Sequence, residues 1–427
     1  MINYKQKTLS NGIRLVTCPI KSTEAVAILI SVGVGGRFEP KDKVGISHFL
    51  EHLFFKGTKK HPSVHDLSCA LDNLGADYNA YTSEETTDFY IQSSADVFQN
   101  SLDILSEMYL NPLFPEKEIA KERAVIVEEA NMRRDIPQLH VQVLAQKQMF
   151  PDSPLGEDLI GTPETLQSIS RPDISNYFNK NYNGTSTIIA VCGNPKKFNW
   201  EKEVEKRFTS KDQGIKPENE MFSDSNIKDS IVAQERKIDQ SHLVLSTRLF
   251  SKTDPRRYQA SILQTILGGG MSSRLFSEIR EKRSLAYYVN AGINWYEDTG
   301  SFVVSAGVNS GKVEEALKVT MSEFKKISQK PPSTKELERA KNQLKGKLAL
   351  SLEGSFEIAS YLAEETRYEN EIRQPEDIVK EIGKTKPQDI QNLAREIFNS
   401  DKMGLAIIGP QINNAKLKQI INGRQDG

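Results

Sequence analysis

The strongest constraint on what this chain can fold into is that it reads as one order of elements written twice. Asp88-Phe-Tyr-Ile-Gln-Ser-Ser-Ala-Asp-Val-Phe-Gln-Asn-Ser-Leu-Asp and Gly300-Ser-Phe-Val-Val-Ser-Ala-Gly-Val-Asn-Ser-Gly-Lys-Val-Glu-Glu each run from an apolar strand through a small-residue turn into an amphipathic helix. A Pro-containing turn and a charged helix follow in both, with Glu122-Arg123-Ala124 in the first and Glu338-Arg339-Ala340 in the second. Each half closes on an apolar strand ending in Gly, Thr187–Gly193 and Met403–Gly409. Two duplicated α/β units of about 200 residues satisfy this pattern, an ordinary size for a single domain. The expected division is 1–210, a linker at 211–235, and 236–427. The linker reading rests on a polar stretch that contains Gly214, Pro217 and Ser223 to Ser225.

Within the first half, the turn pair Asn11-Gly12 precedes a strand at 13–17, and the β-branched run 25–34 is a second strand. After Gly45 the period changes, because Ile46, Phe49, Leu50, Leu53 and Phe54 recur at helical spacing up to Gly57. Further helices are expected at 63–74, 97–109 and 118–133, with strands at 77–83 and 88–93.

The helix after Gly45 carries His48-Phe49-Leu50-Glu51-His52. Residues four apart project from one face, so both imidazoles can reach one cation, and Glu51 lies on nearly the same side. Zinc takes neutral imidazole nitrogen, and a catalytic zinc site holds three protein ligands and a water. Glu51 is then suited to take a proton from that water. The plain alternative is two surface histidines. Apolar Phe49, Leu50, Leu53, Phe54 and Phe55 argue instead for a buried helix, where two histidines and a carboxylate need a shared partner. The H-x-x-E-H order is the signature of the inverzincins. His61 and His65 are also four apart, but Pro62 follows His61 and places it outside the next helix, so this pair is not read as a metal site.

The run Gly45-Ile-Ser-His-Phe-Leu-Glu-His-Leu-Phe-Phe-Lys-Gly-Thr58 resembles the pitrilysin and mitochondrial-processing-peptidase family, in its short-chain bacterial branch. Thr8-Leu-Ser-Asn-Gly12, Gly35-Gly-Arg-Phe-Glu39, Asn79-Ala-Tyr-Thr-Ser83 and Leu267-Gly-Gly-Gly-Met-Ser-Ser-Arg-Leu-Phe276 extend the likeness over nearly the whole chain. The resemblance implies an α+β fold of two homologous α/β domains, each a mainly antiparallel sheet packed with helices, forming half of a clamshell. It also implies a third zinc ligand at Glu129 and an accessory acid at Glu122, on the helix containing Arg123-Ala-Val-Ile-Val-Glu-Glu129. Spacing alone supports one ligand and one supporting acid seven residues apart. It leaves Glu128 open as a competitor for Glu129, and it leaves open that this is only a solvated charged face.

The second half has no histidine near Gln264-Thr265-Ile266-Leu267, and Lys345 falls near the position equivalent to Glu129. It carries Arg280-Glu-Lys-Arg-Ser-Leu-Ala-Tyr287, similar to the family's Arg and Tyr that hold substrate and stabilise the oxyanion; on local grounds alone they are a surface Arg and a strand Tyr. A guanidinium and a phenol are suitable donors to developing negative charge. Asn79 and Ala80, by the same likeness, border the cleft where a substrate strand adds to a sheet edge. The implied activity is a zinc-dependent endopeptidase, one zinc ion per chain, hydrolysing peptides or unfolded segments by a Glu51-activated zinc-bound water in a dimeric chamber. Because one chain carries both residue sets, a homodimer is the economical assembly. The runner-up is a non-catalytic scaffold, or a subunit of a hetero-oligomeric processing peptidase.

Charge and composition remove other classes. With 56 Lys and Arg against 57 Asp and Glu, there is no global field to hold nucleic acid or an acidic membrane. Cys18, Cys69 and Cys192 are far apart without a CxxC spacing, which excludes a disulfide framework or a Cys-based zinc site. The first residues lack the apolar core of a secretory signal and no run is long enough to span a bilayer, so the expected location is the cytoplasm.

Overall fold

The computed structural model describes residues 1–223, 227, 230–369 and 371–423. Two compact units make up the chain. The first comprises Met1–Asn131, Glu157–Glu220 and Ala349–Pro375; the second comprises Met132–Gly156, Met221–Leu348 and Glu376–Gly427.

In the first unit, six strands form a sheet: β1 (Lys5–Thr8), β2 (Arg14–Pro19), β3 (Ala25–Val32), β4 (Asp77–Thr82), β5 (Thr87–Ser94) and β6 (Thr187–Gly193). Their order is β1-β2-β6-β3-β5-β4, with every pairing antiparallel except β2 with β6. β3 is apolar apart from Ser31, because both of its faces are buried. Val26, Ile28, Ile30 and Val32 join the main core with Phe49, Leu50 and Leu53 of helix α1 (Ile46–Leu53) and with Phe54 just after it. Ala27 and Leu29 point the other way, beneath Ile358, Ala359 and Leu362 of the helix Ser355–Tyr368. Three further helices bear on the site or its surroundings: α2 (Val64–Asp72), α3 (Phe98–Leu110) and α4 (Glu116–Asp135).

The second unit repeats this sheet without the β1 equivalent. β7 (Ile231–Glu235), β8 (Gln240–Leu249), β9 (Ala286–Trp295), β10 (Gly300–Asn309) and β11 (Met403–Gly409) run in the order β7-β11-β8-β10-β9. The one parallel pair, β7 with β11, stands where β2 pairs with β6. The duplicated order read from the sequence is therefore a duplicated topology in an α+β fold. On one face, helix α5 (Pro137–Met149) packs Val141 and Ala145 on Val244, Ala406 and Ile408.

Two local expectations change. α1 ends at Leu53, four residues before Gly57, because Gly57 takes φ +124° and Thr58 makes a β-bridge with Pro112, which pulls the chain out of the helix. The start of the polar stretch is a strap bound to the first unit: Gly184 donates to the carbonyl of Asp212, Thr185 to that of Gln213, and the Asn183 amide to that of Ile215. Asp224 and Ser225 of that stretch lie outside the described residues. No helix among the described residues is long and apolar enough to cross a membrane.

Candidate metal centre

α1 has its apolar residues at Ile46, Phe49, Leu50 and Leu53, all buried in the main core. The helical period then turns His48, Glu51 and His52 to the remaining side. Opposite them stands α4, whose Ile119, Glu122 and Ile126 are buried while Glu128 is exposed. Glu129 faces the histidines: its Oε2 lies 3.8 Å from Nε2 of His48 and 3.6 Å from Nε2 of His52. One donor atom from each of these three residues falls within 4.8 Å of the others. Donors about 2.1 Å from the centre of a tetrahedron are about 3.4 Å apart, so this nitrogen-nitrogen-oxygen set fits a zinc ion and leaves a fourth position for a water.

The surrounding groups orient these donors. Nδ1 of His52 lies 3.1 Å from Oε2 of Glu122, whose other oxygen pairs with the Lys56 ammonium at 2.8 Å. A proton on Nδ1 held by that carboxylate leaves the Nε2 lone pair turned toward Glu129. The Glu122 side chain is only 8% exposed, so it is not part of a solvated face. Glu51 accepts a hydrogen bond from the Thr82 hydroxyl at the end of β4. Burial pushes the Glu51 carboxyl above its ordinary value, and Thr82 opposes that shift.

Asn79 and Ala80 lie within β4, the last strand of the first sheet, with Asn79 exposed and Ala80 buried against Phe89 across the ladder. Arg280 and Tyr287 belong to the second unit. Arg280 lies in a π-helical turn, Phe276–Glu281, and its guanidinium stands 4.9 Å from the Phe276 ring and 5.8 Å from that of Tyr287. Tyr287 is on β9, the last strand of its sheet, and is 73% exposed. His61 precedes α2, and the His65 ring meets Cys69 at 3.6 Å instead of a second histidine. Sequence reasoning missed Lys56 and Thr82. Lys56 was accessible as the residue one turn beyond His52, and Thr82 as the hydroxyl within the Asn79 to Ser83 landmark.

The pattern described as "Insulinase (Peptidase family M16)" matches residues 14–163, and "Peptidase M16 inactive domain" matches residues 168–344. A protein of Bacillus subtilis named uncharacterized zinc protease YmxG is 32% identical over 96% of this chain and 99% of its own. The chain belongs to peptidase family M16. A second relative of this M16 chain, an uncharacterized zinc protease of Streptomyces coelicolor, is 31% identical over 95% of the chain and 89% of the relative. Among solved structures, a protease from Helicobacter pylori matches the M16 chain with a TM-score of 0.87 at 24% identity, covering 96% of this chain and all of that one (100%). A peptidase M16 inactive domain from Pseudomonas fluorescens matches with a TM-score of 0.89 at 20% identity, covering 96% and 99%. Both likenesses are of fold. The part matched by the inactive-domain pattern begins after the three donors and contains Arg280 and Tyr287.

Proposed function

We propose that this chain is a zinc endopeptidase with one ion per chain, held by His48, His52 and Glu129, and that it hydrolyses peptides or unfolded segments. The observation that carries the reading is the convergence of those three donors beside a half-buried carboxylate, Glu51, that is not needed as a ligand. A zinc ion there supplies Lewis acidity to the scissile carbonyl and makes water a better nucleophile at neutral pH. Glu51 takes the proton from the attacking water and passes it to the leaving amine, a role to which its raised proton affinity is suited. Glu122 holds His52 in the tautomer that presents Nε2.

Substrate lies along the open edge of β4 at Asn79 and Ala80 by main-chain pairing, which demands little of its sequence. Arg280 and Tyr287 donate to the developing oxyanion. They serve the metal centre of a second copy of the chain, so the working unit is a homodimer enclosing a chamber. Purified protein should contain one zinc per chain and cleave an unstructured fluorogenic peptide, and Glu51→Gln should keep the metal while abolishing cleavage. Wild-type turnover in the Glu51→Gln protein rejects the mechanism; zinc without any cleavage by the wild type returns the chain to the scaffold or hetero-oligomeric reading.

A further inference from the structure

Helix α1 has an unusual start. Its N-cap, Gly45, sits at φ +95°, and a side chain there would place its Cβ 2.4 Å from the carbonyl oxygen of Ile160. The position that ordinarily carries Ser, Thr, Asp or Asn to accept from first-turn N–H groups is therefore closed to any side chain. Glu39 supplies the missing acceptor from six residues upstream. Its Oε2 accepts from the Gly45 N–H at 2.7 Å and its Oε1 from the Ser47 N–H at 2.7 Å, and Ser47 is the residue before His48. The Ser47 hydroxyl is in turn 2.9 Å from that of Tyr177, so the first turn is gripped from two sides.

The segment that carries Glu39 is itself fixed to the other support of the site. Gly36 donates to the carbonyl of Ser83 at 3.1 Å and Arg37 to that of Glu84 at 2.7 Å. The buried Arg37 guanidinium pairs with Glu85 at 2.8 Å, and Glu85 also accepts from the Tyr368 hydroxyl at 2.8 Å. Gly35 is needed there, because a Cβ would lie 2.1 Å from the Ser83 oxygen. The turn so held follows directly on Thr82, whose hydroxyl engages Glu51. One short stretch, 35–39, thus ties the start of α1 to the strand end that holds Glu51.

We propose that Glu39 is a positioning residue for the metal centre: its two-oxygen clamp on the first turn of α1 fixes the axial rotation of that helix, and hence the directions of His48, Glu51 and His52. The inference rests on the zinc reading above. Because the clamp acts through the helix and touches no ligand, its loss degrades the donor set without altering the substrate edge. Glu39→Gln is isosteric but replaces one acceptor by an NH2 group facing an N–H, so one of the two bonds is lost.

Measurements belong at pH 8, above the value of about 7 to which burial pushes this carboxyl. Zinc affinity of the Glu39→Gln protein, read by competition with a chromophoric chelator, should fall roughly 10- to 100-fold, and kcat should fall with KM unchanged. A carboxylate that merely stabilised the fold would lower Tm and leave zinc affinity and kcat of the folded protein unchanged, which overturns the proposal. Hydrogen exchange of the metal-free wild type gives a second readout that no variant can spoil. The Ser47 amide has no intrahelical partner, so Glu39 is what protects it, and exchange there at the rate of an open loop also overturns the proposal. If wild-type protein binds no zinc, the reading of the site fails; if it binds and cleaves while Glu39→Gln does both equally well, this inference alone fails.

Discussion

The Thr82 hydroxyl donates to the Glu51 carboxylate, joining the last residue of edge strand β4 to the middle of helix α1. It links edge strand β4 directly to the carboxylate that would activate water. Thr82→Val keeps the β-branched shape and removes only the donor. Steady-state kinetics should show kcat lowered on the order of 10- to 100-fold, matching about 1.5–3 kcal/mol for a hydrogen bond to a charged group, with zinc content unchanged. Full activity in that variant dismisses the hydroxyl as a support for Glu51.

Glu128 and Glu129 are neighbours with opposite surroundings, one exposed and the other 3.6 Å from His52. Glu129→Gln should lose zinc to a chelator far more readily than wild type, whereas Glu128→Gln should match wild type. Equal zinc retention in both variants contradicts the ligand assignment.

The buried Glu122 is shared between His52 and Lys56, both half-buried. Glu122→Gln leaves Lys56 beside a neutral group and weakens the hold on the His52 tautomer. Activity or zinc affinity should fall roughly 10- to 100-fold, the usual cost of removing a partner behind a ligand. Unchanged kinetics together with unchanged zinc binding refutes the orienting role.

Arg280 and Tyr287 lie in the unit that lacks the metal donors. If they serve another copy's metal centre, mixing inactive Glu51→Gln dimers with inactive Tyr287→Phe dimers restores one complete site per mixed dimer. Cleavage should return in part once subunits exchange, which mass measurement of differently tagged chains verifies. No return despite verified exchange removes the case for a site shared across the homodimer.

Lys211 sits between two aromatic faces, its ammonium 4.6 Å from the Tyr109 ring and 4.7 Å from that of Phe178. Burial pushes its amine from 10.5 down to about 8, with Asp212 opposing. Between those values the unfolded chain holds a proton that the folded chain has released, so this group makes stability rise with pH across that window and leaves it flat below about 8. Denaturant unfolding curves of Lys211→Met should show that rise flattened relative to wild type. Parallel pH profiles for the two proteins disprove the depressed amine.

Local periodicity was legible from the residues alone. A helix repeats every 3.6 residues whatever it packs against, so the spacing of His48, Glu51 and His52, and the seven-residue gap between Glu122 and Glu129, follow from backbone geometry. The duplicated order was legible for the same reason, since strand and helix periods differ, and it became two sheets with one parallel pair in the same place. What lies far apart in the chain was decided only by the tertiary structure. Spacing left Glu128 and Glu129 equal, and the rotation of α4 against α1 separates them. Cys18 and Cys192, unrelated in sequence, share one register position of the parallel β2 and β6 ladder. Residues 132–156 pack in the second unit and 349–375 in the first, because each sheet buries both faces and draws a covering helix from a distant part of the chain. Such choices depend on which apolar faces meet in three dimensions, and a pattern with a period of two or 3.6 residues records that a face exists without recording its partner.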